Sequence, residues 1–554
     1  MDQFSASGSE VRVGHTLNDA ERQHVTKRKE KVLQCLKQHG ISCSEDTVPK
    51  IAVLGSGGGL RAMVALLGSL SQLKKEGLLD CITYLSGVSG STWCMSSLYK
   101  ESDWSTKLKA IQDDIEQRLT YSKVSWQEMA QKLVKYFFAK DNFSVTDLWA
   151  VMIVANMVKE IDEHSLTEQR NKYANDPYPI YTVIDKSSKY DRLNADLWFE
   201  ITPDEAGYSL SGTFVDSSCW GSQFENGKKT KDQPEIDILY LQGLCGSALA
   251  DMEEILKYIF DALLHLSKES IEEGHQSQSS DVKNGCEVII TLLELNLSVL
   301  SGEDPSKYCD ILKDLLKDDE RKHLINPTLH LMTKEVLSKK DVQEDTLQIC
   351  KSFFDRFGEQ DIWDKIWIGI VRSIEIACNW IWGTTYNHVY RMKVEGVDPS
   401  VLNAAKREYE DAGLLNNSPY VSVLRKERDI DLIISFDFSA GNPFETVVKT
   451  AERCKTLQIP FPKVVQPPED MKPQDIYVFK DNPKAPTVIH IPLFNCVNCK
   501  GEVQKWKARY GTFQLNYSAS MIKDLLEKAG MNVRNTKEKL LEEIKYITEH
   551  KRLK

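Results

Sequence analysis

No window of this 554-residue chain offers the roughly 18 or more consecutive apolar residues that a membrane-crossing helix requires. No secretory leader pattern opens it. Basic residues are outnumbered, 70 Lys and Arg against 81 Asp and Glu, for a formal charge of −11. That balance argues against general nucleic-acid binding and against whole-molecule attraction to anionic membranes. Regular cysteine spacing is missing too: thirteen cysteines are scattered along the chain. An odd number without a leader predicts reduced thiols in a cytosolic protein. Cys496-x-x-Cys499 lacks the second half of a zinc site, and no EF-hand loop pattern occurs. The expectation is a soluble protein without metal or cofactor, whose contact with membranes is peripheral.

What the chain does have is concentrated between Ile51 and Leu98. Ile51-Ala52-Val53-Leu54 is a short apolar run of the kind that forms a buried parallel strand. It opens into Gly55-Ser56-Gly57-Gly58-Gly59-Leu60-Arg61, where missing side chains let backbone N–H groups approach an anion. Met63, Leu66, Leu67, Leu70 and Leu73 then recur at helical spacing up to Gly77, so the glycines sit at a helix N-terminus. Leu60 spoils a dinucleotide fingerprint, and Leu60-Arg61-Ala62 stands where a P-loop needs Gly-Lys-Ser/Thr. A second run, Cys81 to Leu85, leads into Gly87-Val88-Ser89-Gly90-Ser91, the layout of a nucleophile elbow. An anion hole and an elbow serine thus follow successive strands.

Ser56–Ala62 together with Gly87–Ser91 closely resembles the cytosolic phospholipase A2 family, with patatin-like lipid hydrolases as more distant relatives. Trp198-Phe199-Glu200, Trp382-Gly383-Thr384-Thr385, Asp411-Ala412-Gly413-Leu414, Asp431 to Ser439 and Pro460-Phe461-Pro462 resemble further stretches of that family, in the same order. The resemblance covers about Pro49 to Tyr517 and is weakest between His265 and Asp355. Size and the early start of the catalytic region look most like the gamma type. It implies an α/β, patatin-like catalytic domain of three layers around a mostly parallel sheet, with a helical cap insertion. It also implies a calcium-independent phospholipase A2 that cleaves the sn-2 ester of glycerophospholipids through an acyl-serine, with lysophospholipase activity as well. By that resemblance Ser89 is the nucleophile, Asp411 its base, Gly58 and Gly59 the oxyanion donors, and Arg61 the phosphate-binding cation. Substrates would be glycerophospholipids and lysophospholipids at intracellular membrane surfaces, in a cytoplasmic protein. With about 48 residues before the first core strand, the calcium-dependent docking domain of larger relatives is not expected, nor is a prenylation cysteine at the C-terminus.

Other readings stay open at this point. His490, in an apolar alternating run, could complete a Ser-Asp-His triad, although a satisfied strand histidine is the simpler account. Lysophospholipase or acyl-transfer chemistry could dominate, and a lipid-binding protein that lost its activity is a third option. Asp437 competes with Asp411 because it closes an apolar strand. By domain, the expectation is a tail and helix over 1–48, a catalytic domain over 49–535 with a cap insertion at about 264–382, and an amphipathic helix over 536–554. Within these, residues 1–15 read as disordered and Thr16–His39 as a helix with a solvated charged face. Residues 268–285 read as a flexible insert, and Trp363–Ile381 as an apolar core or lid helix with an interfacial alternative. Lys228–Lys231 reads as a basic loop. Gly243-Leu244-Cys245-Gly246-Ser247 imitates an elbow with cysteine but is read as tight backbone packing.

Overall fold

The computed structural model describes residues 10–186, 197–247, 252–272, 280–316, 329–357, 365–380, 382–468, 471–512 and 514–551. The chain divides into two compact units. One comprises Met1–Ser122, Met157–Leu249 and Thr385–Lys554, the other Lys123–Asn156 and Ala250–Thr384.

The first unit is built on a sheet. Its strands in chain order are β1 (Val11–Val13), β2 (Ile51–Gly55), β3 (Tyr84–Gly87), β4 (Tyr178–Asp185), β5 (Trp198–Ile201), β6 (Glu205–Tyr208) and β7 (Thr213–Asp216). After a separate hairpin of β8 (Gln223–Glu225) and β9 (Lys228–Lys231) come β10 (Thr384–Tyr386), β11 (Lys406–Asp411), β12 (Leu432–Asp437), β13 (Tyr477–Phe479) and β14 (Thr487–Pro492). The spatial order is β1-β7-β6-β5-β4-β3-β2-β12-β14-β13. From β4 to β14 neighbours run parallel, and antiparallel strands flank this block on both sides. Every residue of β2, β3, β12 and β14 is buried, which is why β2 reads as an unbroken apolar run and the others carry few polar residues. This is the α/β architecture expected from the sequence.

One irregularity matters for the site. β5 occupies one edge of β4 over Tyr181–Ile184. β3 pairs with Tyr178–Tyr181 and β11 with Val183–Asp185, so both must use the other edge. β11 is antiparallel to β4 while β3 is parallel, so their C-terminal ends run toward each other.

Helices α1 (Asp19–Gln38), α2 (Gly59–Lys75) and α3 (Gly90–Tyr99) accompany the first strands. α2 is buried from Gly59 to Leu73. A long C-terminal helix, Ala519–Lys551, lies on it so closely that a Cβ at Gly68 would stand 2.6 Å from the Leu526 carbonyl oxygen. The sequence signals only the last part of this helix, from residue 536, where Leu540, Ile544 and Ile547 are indeed buried. α1 corrects the sequence reading. Glu21 and Arg28 on its charged face are buried, not solvated. Arg28 donates to the Ile82 and Leu79 carbonyls. Glu21 accepts from Arg428 through both oxygens, and Arg428 and Arg425 both donate to Glu200. Burial alone would raise the Glu200 carboxyl, but the charges of Arg425 and Arg428 outweigh it and hold its pKa down at about 2. Val11–Val13, within the stretch read as disordered, is an edge strand tied by backbone pairing to β7 and by Arg12 to Glu205. The basic stretch Lys228–Lys231 is β9, a short exposed strand rather than a loop. Cys35 of α1 and Cys81 before β3 are joined as a disulfide, with Cα atoms 5.8 Å apart, where the sequence argued for thiols throughout. The other eleven cysteines are free.

The second unit is helical, with Trp126–Ala139, Met252–Glu272, Ser280–Ser301, Lys339–Phe357 and Lys365–Asn379 as its longer members. Trp367, Ile370, Ile374 and Ala377 of the apolar helix are buried. Trp363 and Ile381 of that face lie outside the described residues, as do residues 1–9, 273–279 of the polar insert, and 552–554 of the basic tail. Among the described residues one helix, Lys283–Ser301, is long and apolar enough to cross a bilayer by length and composition; 61% of it is buried within the protein, as in a core helix.

Candidate active site

The glycine loop and the elbow are pressed against each other. β2 ends at Gly55 and β3 at Gly87, directly opposite in register. Ser89 follows with φ 52°, a left-handed conformation that a side-chain-bearing residue adopts only under constraint. Gly90 is required there because a side chain would run into the Gly59 carbonyl. On the other side a Cβ at Gly57 would lie 2.8 Å from the Ser89 Cβ. Ser91 adds a clamp, its hydroxyl donating to the Ser56 carbonyl at 2.6 Å. That bond accounts for serine where many elbows carry glycine.

Gly58 (φ 149°) and Gly59 (φ 59°) turn the chain into α2. Their N–H groups head the helix, where the dipole adds partial positive charge, and they bond to no described residue. Arg61 is buried behind them. Its Nε donates to the Phe438 carbonyl (2.7 Å) and its Nη1 to the Tyr510 carbonyl (2.7 Å) and the Thr512 hydroxyl (3.2 Å). Burial lowers its pKa, with Tyr517 and Asp437 opposing. The guanidinium fork is therefore partly spent on the protein; Nη2 is the nitrogen that faces the loop, in the space a Cβ on Gly58 would take.

The two aspartates differ in their surroundings. Asp411 ends β11 opposite Val183, two positions beyond the Tyr181 that pairs with Gly87 of β3. Gly87 and Asp411 thus pair with the same edge of β4, two residues apart along it, and Ser89 follows two residues after Gly87. Asp411 is fully buried, and one of its oxygens accepts from the Gly413 N–H at 2.7 Å. Asp437 lies on the far side of β2, on β12. Its oxygens accept from the Ser439 N–H (2.8 Å), the Thr446 hydroxyl (2.6 Å) and the Ser56 hydroxyl (3.4 Å), the pattern of a turn-capping carboxylate. His490 is on β14, beyond β12 and β2 from β3. Its Nε2 bonds the Pro443 carbonyl and lies 3.9 Å from Asp437; burial lowers its pKa, with Asp437 opposing.

Two residues missed by the sequence reading frame the site. Asn417 donates from its amide to the Gly57 carbonyl (3.0 Å) and the Ser439 hydroxyl (2.8 Å). Its backbone carbonyl accepts from the Gly57 N–H at 3.0 Å, and its Oδ1 faces both Gly57 and Gly413. Ser247, the last residue of the cysteine elbow mimic, accepts the Asp411 N–H at 2.9 Å. Asn417 stands in no spacing pattern that sequence reading recognises, and Ser247 is legible only within the elbow mimic, as backbone packing. Among the described residues no group of His, Cys, Asp and Glu is arranged to hold a metal.

Comparison with known proteins gives the following. A family described as the lysophospholipase catalytic domain matches residues 51–283. Cytosolic phospholipase A2 gamma of Mus musculus is 34% identical over 565 residues, covering 96% of this chain and 91% of the relative. The Homo sapiens protein of the same name is 36% identical over 551 residues, 97% of this chain and 96% of the relative. Among solved structures, human GIVD cytosolic phospholipase A2 superposes with a TM-score of 0.65 at 23% identity, over 98% of this chain and 66% of that one; at this identity the match speaks for the fold.

Proposed function

The chain belongs to the cytosolic phospholipase A2 family, and from that premise we propose that it is a phospholipid-hydrolysing enzyme working through a Ser89–Asp411 dyad. The observation that supports this reading is the shared edge of β4, on which the end of β3 before the elbow serine and the end of β11 at Asp411 run toward each other while Asp437 is engaged elsewhere. In the reaction, Ser89 Oγ attacks the sn-2 ester carbonyl while Asp411 takes its proton. The N–H groups of Gly58 and Gly59 receive the charge that develops on the carbonyl oxygen. The ester bond breaks, the proton passes to the departing lysophospholipid oxygen, and an acyl-serine remains. Water, deprotonated by Asp411, then releases the fatty acid and restores the serine. Arg61 Nη2 is the donor available to the lipid phosphate beside the loop. The same steps act on a lysophospholipid, and the family match to a lysophospholipase catalytic domain favours that second activity. The reaction is calcium-independent, in the cytoplasm and at the surface of intracellular membranes.

The test is hydrolysis of defined phospholipid vesicles by three variants, each with its melting temperature measured alongside. Ser89→Ala and Asp411→Asn are each expected to lose several orders of magnitude in the chemical step, and Asp437→Asn to lose stability before turnover. An active Asp411→Asn beside a folded but dead Asp437→Asn would exchange the roles. Near-normal turnover by Ser89→Ala would end the proposal.

A further inference from the structure

Resting on the Ser89–Asp411 reading, we propose that the helix Ile238–Cys245 and the Gly246-Ser247 that follow it are a bracket setting the separation of nucleophile and base, with Ser247 as a positioning residue for Asp411. Asp411 is the last residue of β11, paired opposite Val183 with no further rung of the β4 ladder beyond it. Its backbone N–H is nevertheless fixed, because it donates to Ser247 Oγ at 2.9 Å. Ser247 Oγ in turn donates to the Leu244 carbonyl at 3.1 Å, an end-of-helix acceptor without an intrahelical partner. The hydroxyl thus relays the helix terminus to the base.

The other end of the bracket grips α3, the helix that starts at the elbow. Trp93 Nε1 donates to the Gln242 carbonyl at 2.8 Å, and Gln242 Nε2 donates to Ser96 Oγ at 2.8 Å. Gly246 packs onto the Trp93 indole so tightly that any side chain would collide with the ring. α3 is bound to the elbow through Thr92, whose hydroxyl donates to the Ser89 carbonyl. A continuous path of buried contacts therefore runs Ser89, Thr92 and Trp93, Gln242 to Gly246, Ser247, Asp411, and every residue on it is buried. β3 and β11 do not pair with each other and Ser89 has already left β3, so this path ties the nucleophile turn to the base beyond what the shared ladder to β4 fixes. It also gives the elbow mimic a function: Gly246 and Ser247 matter for a close approach and a hydroxyl. Cys245 is a buried thiol whose pKa is pushed up by burial and then by Asp411, so it is no nucleophile.

Ser247→Ala removes the acceptor at the base end, and Trp93→Phe removes the donor at the elbow end while keeping an aromatic ring. Each is expected to lower kcat 10- to 100-fold on phospholipid vesicles, with KM within twofold and melting temperature within a few degrees. The double variant is expected to be no slower than the slower single one, because both cut the same link. An unchanged kcat in Ser247→Ala, a loss that follows the unfolded fraction, or multiplying losses in the double variant would each overturn the bracket. If Ser247→Ala does not fold, Trp93→Phe decides alone: lowered kcat at constant KM supports the proposal, and unchanged kcat refutes it. A dead Ser89→Ala beside a fully active Ser247→Ala would remove the bracket and leave the dyad standing, whereas an active Ser89→Ala would remove both.

Discussion

Glu200 offers a perturbation whose size can be worked out in advance. It is buried with Glu21, Arg425 and Arg428 in a cluster of two negative and two positive charges, so the cluster is neutral as a whole. Its oxygens accept from Arg425 Nη1 at 2.6 Å and from Arg428 Nη2 and Nη1 at 2.8 and 2.9 Å. Glu200→Gln keeps the shape, strands one positive charge and turns an amide N–H₂ toward a guanidinium. A carboxyl lowered from 4.5 to about 2 is favoured in its charged form by about 3 kcal/mol net of its burial penalty, at about 1.4 kcal/mol per pH unit. Breaking one member out of a buried ion cluster costs about 3–5 kcal/mol by general experience, which agrees. For a unit of this size the melting temperature is expected to fall by about 5 °C at neutral pH. The folded-state pKa is depressed, so this stability is fully present above pH 4.5 and is lost as pH falls toward 2. The gap between wild type and Glu200→Gln should therefore close below pH 4.5, read by circular dichroism melts between pH 7 and pH 3. Adding Arg425→Met should recover part of the loss, because neutrality returns and Arg425 already has Nε and Nη2 without hydrogen-bond partners. A variant melting within 1 °C of wild type at pH 7, or a gap independent of pH, would refute the reasoning.

Two further expectations concern the reaction. Arg61→Lys keeps a charge but forfeits the two carbonyl anchors of Nε and Nη1, so activity on phospholipids should fall at least tenfold and more steeply than on a phosphate-free ester; equal losses on both substrates would make the arginine purely structural. A chelator should leave vesicle hydrolysis unchanged, and loss of vesicle binding on chelation, measured by co-sedimentation, would contradict calcium independence.

The sequence carried the central features because they are local. Glycines at a strand end, a leucine-spaced helix and a serine between small residues are each legible within a few positions, and successive buried strands predict a parallel sheet. Asp411 was legible only as part of a family motif; that β11 ends facing the end of β3 depends on both docking on one edge of β4, a register between strands more than 300 residues apart. The burial of Glu21 was invisible for the same reason, since its partner Arg428 is 407 residues away. A charged helix face looks alike whether it meets water or a buried arginine. Trp198-Phe199-Glu200 was recognisable as a motif, while the charge work of its glutamate was not.

The position of α2 has a consequence for how the protein is made. Its N-terminus carries the glycine loop, yet the strand beside β2 and the helix over α2 lie far down the chain. Lys50 bonds Asp431, 381 residues later, and Arg534 reaches Gln72 across 462. A nascent chain leaving the ribosome exposes the glycine loop and the elbow early, beside an unpaired β2 edge and an uncovered leucine surface. Until Ala519–Lys551 has been made, the face of α2 that it covers around Gly68 stays open to solvent.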